Sequence, residues 1–154
     1  MLIGRRVRRT RKGDFEVRLP PEERELLRTV VPQLADLLTG DLDDPGLRRL
    51  FPTAYADDPE RDAAYQRLVR DELADRRRAA AATMVASVDA TRLDEAQLHA
   101  WMGAVNDLRL VLGTRLDVSE ETDLVPDPDD PDAPLLALYG YLGLLLETLV
   151  DAVS

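Results

Sequence analysis

The sequence predicts a mainly α fold: a helical bundle of four main helices over residues 20–154, with an N-terminal β-hairpin over residues 1–19, together one domain spanning 1–154. Three observations lead there. Apolar residues recur at helical spacing through four long segments. Prolines, aspartates and glycines cluster in the gaps between those segments. Strand-like alternation is confined to the first 19 residues. A chain of 154 residues suits one domain and can bury a core without disulfide staples.

The hairpin is read from "LIGRRVRRTRKGDFEVRL". Phe15, Val17 and Leu19 alternate with Glu16 and Arg18, which puts one face inward and one outward. Lys12-Gly13-Asp14 supplies the turn, because Gly13 adopts a positive φ without steric cost. The first helix starts at Pro20-Pro21, where Glu22 and Glu23 sit near its positive end, and stops at Gly40. Pro32 falls inside it and predicts a kink. A turn-rich connection follows, with one short helix expected from Pro45 to Leu50.

Asp58 caps the second helix, Pro59 suits its first turn, and "RRRAAAATMVA" carries it to about Val88. The third helix opens near Asp94 and contains "NDLRLVLGTRL". "SEETDLVPDPDDPDAP" is an acidic, proline-rich loop, and the fourth helix covers about Leu135 to Val153.

Composition narrows the chemistry. These 154 residues contain no cysteine, so they hold no disulfide, thiolate metal site or cysteine nucleophile; this fits a reducing, cytoplasmic setting. The single histidine, His99, removes most zinc sites and reads as a solvated helix residue. Neither a metal nor a cofactor is expected, and no residue set reads as catalytic. "DPDDPD" lacks the glycine turn and closing glutamate of a calcium loop. The net charge is −10, yet residues 1–12 hold six basic side chains and no acid (Arg5, Arg6, Arg8, Arg9, Arg11 and Lys12). This basic arm is the candidate nucleic-acid contact. It lacks interleaved aromatics, and pairing with the acidic body is the favoured reading. No membrane span is expected, since the last apolar run reaches Glu147 after about fourteen uncharged residues, against the ~20 a span requires.

The third helix poses the sharpest question. Trp101, Val105, Leu108, Leu112 and Leu116 form one core stripe, yet Asn106, Arg109 and Gly113 share the flank beside it. Gly113 removes a side chain and so invites a close backbone. On the second helix, Glu72 and Arg76 lie at ion-pair spacing on a face shared with Tyr65, Val69, Ala80 and Thr83. The two patterns predict a polar cluster of Glu72, Arg76, Asn106 and Arg109 where the helices cross, fixing their register, with anion binding as the functional alternative. If that cluster is buried, Glu72→Ala costs about 3–5 kcal/mol.

"VNDLRLVLGTRL", together with "LRRLFPTAYADDPERDAAYQRL" upstream, resembles the actinobacterial family known as domain of unknown function 2017. The resemblance extends over nearly the whole chain. It implies a setting beside the protease adaptor ClpS, and kinship with AosR-like oxidative-stress regulators that act with a sigma factor and sense oxidation through a cysteine pair. A thiol switch is excluded in these residues, and the resemblance brings no catalytic residues. The leading expectation is a non-enzymatic regulatory or adaptor protein that binds an unidentified protein partner, in stress-linked transcription regulation. A DNA-contacting regulator using the basic hairpin is second, and a small-molecule or anion-binding protein third. The last helix is apolar nearly all round, with Gly140 and Gly143 open to close approach, and this predicts a homodimer burying part of it.

Overall fold

A computed structural model describes residues 6–118 and 127–154. The chain is mainly α, with four long helices and a small N-terminal sheet. Strands β1 (Val7–Arg9) and β2 (Phe15–Val17) form the expected antiparallel hairpin, with Val7 opposite Val17 and Arg9 opposite Phe15. Gly13 sits in the turn at φ 90°. A third strand, β3 (Arg92–Leu93), pairs with β2 and places Leu93 opposite Phe15. Val7, Phe15, Val17 and Leu93 are buried, so one face of the sheet closes the end of the helical core.

Helix α1 (Pro21–Thr39) runs through Pro32 and ends at Gly40, whose N–H returns to the carbonyls of Asp36 and Leu37. Its buried residues, Leu27, Val31, Leu34 and Leu38, follow helical spacing. The short helix expected at Pro45–Leu50 is a single 3-10 turn, Pro45–Leu47, capped by Asp44. Helix α2 (Pro59–Ser87) starts where Asp58 accepts a hydrogen bond from the Arg61 N–H. Helix α3 (Glu95–Arg115) starts at a capping box between Asp94 and Gln97, which satisfies donors at both positions. Helix α4 spans Ala133–Val153.

The central element is α3, which touches α1, α2 and α4. Its buried positions therefore go round the helix: Leu98, Trp101, Ala104, Val105, Asp107, Val111, Gly113 and Thr114. The single stripe read from sequence is accordingly incomplete. Trp101 and Val105 are buried, while Leu108, Leu112 and Leu116 are half-exposed. Trp101 donates its indole N–H to Ser87 Oγ at 2.8 Å, and Ser87 donates in turn to the Thr83 carbonyl at 2.6 Å. A buried tryptophan thus keeps its polar edge satisfied.

Helix α4 packs on α3 and β1, burying Leu136, Leu142, Leu145, Thr148 and Leu149. Its 21 residues are long and apolar enough for a membrane crossing by length and composition, more than the run before Glu147 suggests.

Candidate interaction surface

The predicted polar cluster does not form as a unit. Glu72 and Arg76 lie 3.6 Å apart, and both side chains are more than 70 % exposed. They form a solvent pair on the outside of α2. The face read as inward on α2 is out of phase: Tyr65 is exposed and Val69, Ala80 and Thr83 are only half-buried, whereas Ala74, Ala81 and Met84 are buried. The inward stripe is built from alanines, which let α3 come close but give a weak hydrophobic signal. Exposed ion pairs contribute little to stability. Glu72→Ala is therefore expected to leave the melting temperature unchanged, which a thermal scan of the two proteins checks directly.

The buried ion pair is instead Arg77 with Asp107, one residue along from each predicted partner. The Asp107 side chain is 2 % exposed, and Arg77 reaches it from α2 while also donating to the Leu50 carbonyl at 3.2 Å. The guanidinium lies 5.9 Å from the centre of the Phe51 ring. The pair ties α2 to α3 and to the segment after the 3-10 turn. The Ala74–Ala81 spacing, which places Arg77 on the inward side, is the sequence signal that could have found it.

Burial pushes the Asp107 carboxyl up from 3.8 to about 6, with Arg77 opposing that rise without cancelling it. Its folded pKa lies above its unfolded one. This contribution to stability is therefore fully present below about pH 4 and is lost as pH rises through about 6. Asp107→Asn is expected to flatten this part of the stability profile between pH 4 and 7. Urea midpoints across that range for both proteins measure it, and parallel profiles would show that Asp107 does not titrate there.

Asn106 and Arg109 do approach each other. Arg109 Nη2 lies 3.5 Å from Asn106 Oδ1, at the limit of a hydrogen bond, and its guanidinium is 5.9 Å from the Tyr139 ring centre. Arg109 Nε is buried with no hydrogen-bond partner among the described residues. Gly113 serves the same junction. A Cβ there would stand 2.9 Å from Tyr139 Cε2 and 3.0 Å from Arg49 Nη1, so the glycine admits an aromatic ring and a guanidinium rather than another backbone. Arg49, which sequence reading passed over, also donates to the Val118 carbonyl at 2.9 Å.

The basic hairpin is folded onto the body. Arg6 grips Glu23 of α1 through Nε and Nη2 at 2.9 and 2.8 Å. Beside that pair, burial drives the Tyr141 phenol well above its usual range. Arg8 meets Glu16 across the ladder at 3.0 Å, and Arg9 donates to the Val153 carbonyl at 3.0 Å while lying over the Phe15 ring. Arg11 and Lys12 are exposed near the turn. Arg5 lies outside the described residues, as does 119–126 of the acidic loop. His99 is exposed and stands 3.7 Å from Glu95. Among the described residues, no three metal-ligating side chains converge.

A groove of about 640 Å³ opens between α1 and α4, floored by α3. Val30, Leu34 and Leu37 line one wall, Leu135, Leu138 and Leu142 the other, and Leu108, Val111 and Leu112 the floor. Asp36, Asp41, Asp44 and Arg115 stand at its polar edges.

The architecture is thus a four-helix, mainly α protein with an N-terminal sheet and a leucine-lined surface groove. The chain belongs to the family described as domain of unknown function (DUF2017), which matches residues 4–153. It is 34% identical over 124 residues to the oxidative stress regulator AosR of Mycobacterium tuberculosis (strain H37Rv), covering 70% of this chain and 57% of that protein. The oxidative stress regulator AosR of Mycobacterium bovis is related to the same extent. The chain therefore spans a little under three fifths of these relatives' length. No solved structure matches it.

Proposed function

We propose that this chain is a non-enzymatic regulatory protein in oxidative-stress control, cytoplasmic, and acting by binding another protein. The observation that carries this reading is kinship with chains named oxidative stress regulators. The surface agrees with it. The groove is lined chiefly by aliphatic side chains, which suit burial against a partner better than acid–base chemistry. These 154 residues have no cysteine, so they hold no thiol sensor of their own. Exposed Leu144 and Val150 on α4 support a homodimer as the working assembly, and light scattering at micromolar concentration tests that directly.

The test is affinity capture on the full chain from native cytosol, with and without peroxide treatment and with and without nuclease. A partner retained after nuclease, in amounts that change with peroxide, is the expected outcome. Capture lost on nuclease treatment would favour the second reading, a DNA-contacting regulator, for which Arg11 and Lys12 at the hairpin turn are the motivating feature.

A further inference from the structure

The groove between α1 and α4 has a shape and a charge pattern that together specify an occupant. Helix α4 rests on α3 and β1, and α1 rests on α2 and α3, so a trough remains between α1 and α4 with α3 beneath it. Along α1, the lining from Val30 to Leu37 covers about two helical turns, or roughly 10 Å. A trough of that length with leucine walls matches the way an amphipathic helix is read, through apolar side chains at i, i+3 or i+4, and i+7.

The polar edge is unbalanced. Asp36, Asp41 and Asp44 face Arg115 alone among the charged residues lining the groove. Asp36 and Asp41 are exposed and hold no ion pair among the described residues, although one Asp41 oxygen accepts the Asp43 N–H at 2.9 Å. Asp44 is occupied in capping the 3-10 turn. An entering helix with acidic flanks would be repelled, whereas one with basic flanks would find open carboxylates.

We infer that this groove docks an amphipathic helix of a different protein, with leucine-like residues on its buried face and lysine or arginine along its flank. The inference rests on the protein-contact reading above and names the chemistry of the partner. A second copy is a poorer fit. Helix α4 carries Glu147 and Asp151 and no basic residue. The outer face of α2, where Leu68 is exposed, sets Glu72 beside Arg76, so it offers a mixed rather than a basic flank.

The experiment uses two labelled synthetic helical peptides of about 16 residues, long enough to hold helical structure when bound. Both carry leucines at the same helical spacing; one has lysines on the flank and the other glutamates. Fluorescence anisotropy against the full chain is expected to show binding of the lysine peptide, weakened by salt, and at least about tenfold weaker binding of the glutamate peptide. Asp36→Lys and Leu135→Lys should each weaken the lysine peptide by about tenfold. Both positions are exposed, and a lysine near the C-terminal end of α1, where no basic residue now sits, favours the helix, so folding should survive. Circular dichroism confirms that it does.

Equal affinity for the two peptides, no binding of the lysine peptide, or indifference to Asp36→Lys would overturn the proposal. So would self-association of the chain that Leu135→Lys abolishes, since the groove would then belong to a second copy. If the peptide fails while Leu135→Lys still captures the same cytosolic partner as wild type, the groove is wrong and the protein-contact reading stands. If the peptide binds as expected and no partner is captured from cytosol, the regulatory reading fails instead.

Discussion

Arg77→Met is expected to cost about 3 kcal/mol at pH 8 and distinctly less at pH 5. Methionine keeps much of the arginine stem's bulk but withdraws the donor from Asp107, whose side chain is 2 % exposed. No other side chain hydrogen-bonds Asp107 among the described residues. An unpaired buried carboxylate is more costly than the lost pair itself, because its charge has left water without compensation. Burial already holds this carboxyl at about 6 with Arg77 beside it, and removing the guanidinium pushes it further up. Asp107 in the variant then takes a proton at pH 5 and keeps its charge less readily, so the deficit shrinks. Urea unfolding of wild type and variant at both pH values gives the two differences. A deficit of the same size at pH 5 and pH 8 would mean that the loss comes from packing around Phe51 and Leu50, not from the charge.

Trp101→Ala is expected to be the most damaging single truncation, at about 3–5 kcal/mol. Trp101 is fully buried on the helix that touches the other three, so the cavity opens where the elements meet. The walls belong to different helices and cannot all collapse inward, which places the cost toward the upper end. For a chain of this size the melting temperature should fall by roughly 10 °C. Trp101→Phe fills most of the space and loses chiefly the hydrogen bond to Ser87, so its cost should be about 1–2 kcal/mol. If the two variants melt together, Ser87 rather than volume governs the site.

Local punctuation made the helix ends legible. Asp58-Pro59, Asp94 and Gly40 are each terminal signals that act through the nearest backbone groups, and the helices begin or end beside them. What depends on distant neighbours was not legible. Strand β3 is two residues long and exists because β2 offers an edge, so no periodicity could reveal it. The phase of α2 fails because Tyr65 and Val69 outweigh Ala74 and Ala81 in the pattern, although the small residues face the core. One residue of phase separates Arg76 from Arg77 and Asn106 from Asp107. That step of about 100° turns a solvent pair into a buried one. The arginine at 109 and the glycine at 113 were read as related, and they share the Tyr139 ring, but the ring comes from α4, some thirty residues on.

The hairpin's engagement with the rest of the chain has a consequence for the order of folding. Residues 7–17 precede their edge partner at 92–93, and Arg9 closes on the carbonyl of Val153. The first pairing spans about half of these residues and the second nearly all of them, so their loop-closure entropy is met late. Until residues 92–93 are in place, β2 has apolar side chains and an open edge. The arginines along β1 then have an earlier use than their final contacts: like charges on an uncovered edge discourage pairing between nascent chains.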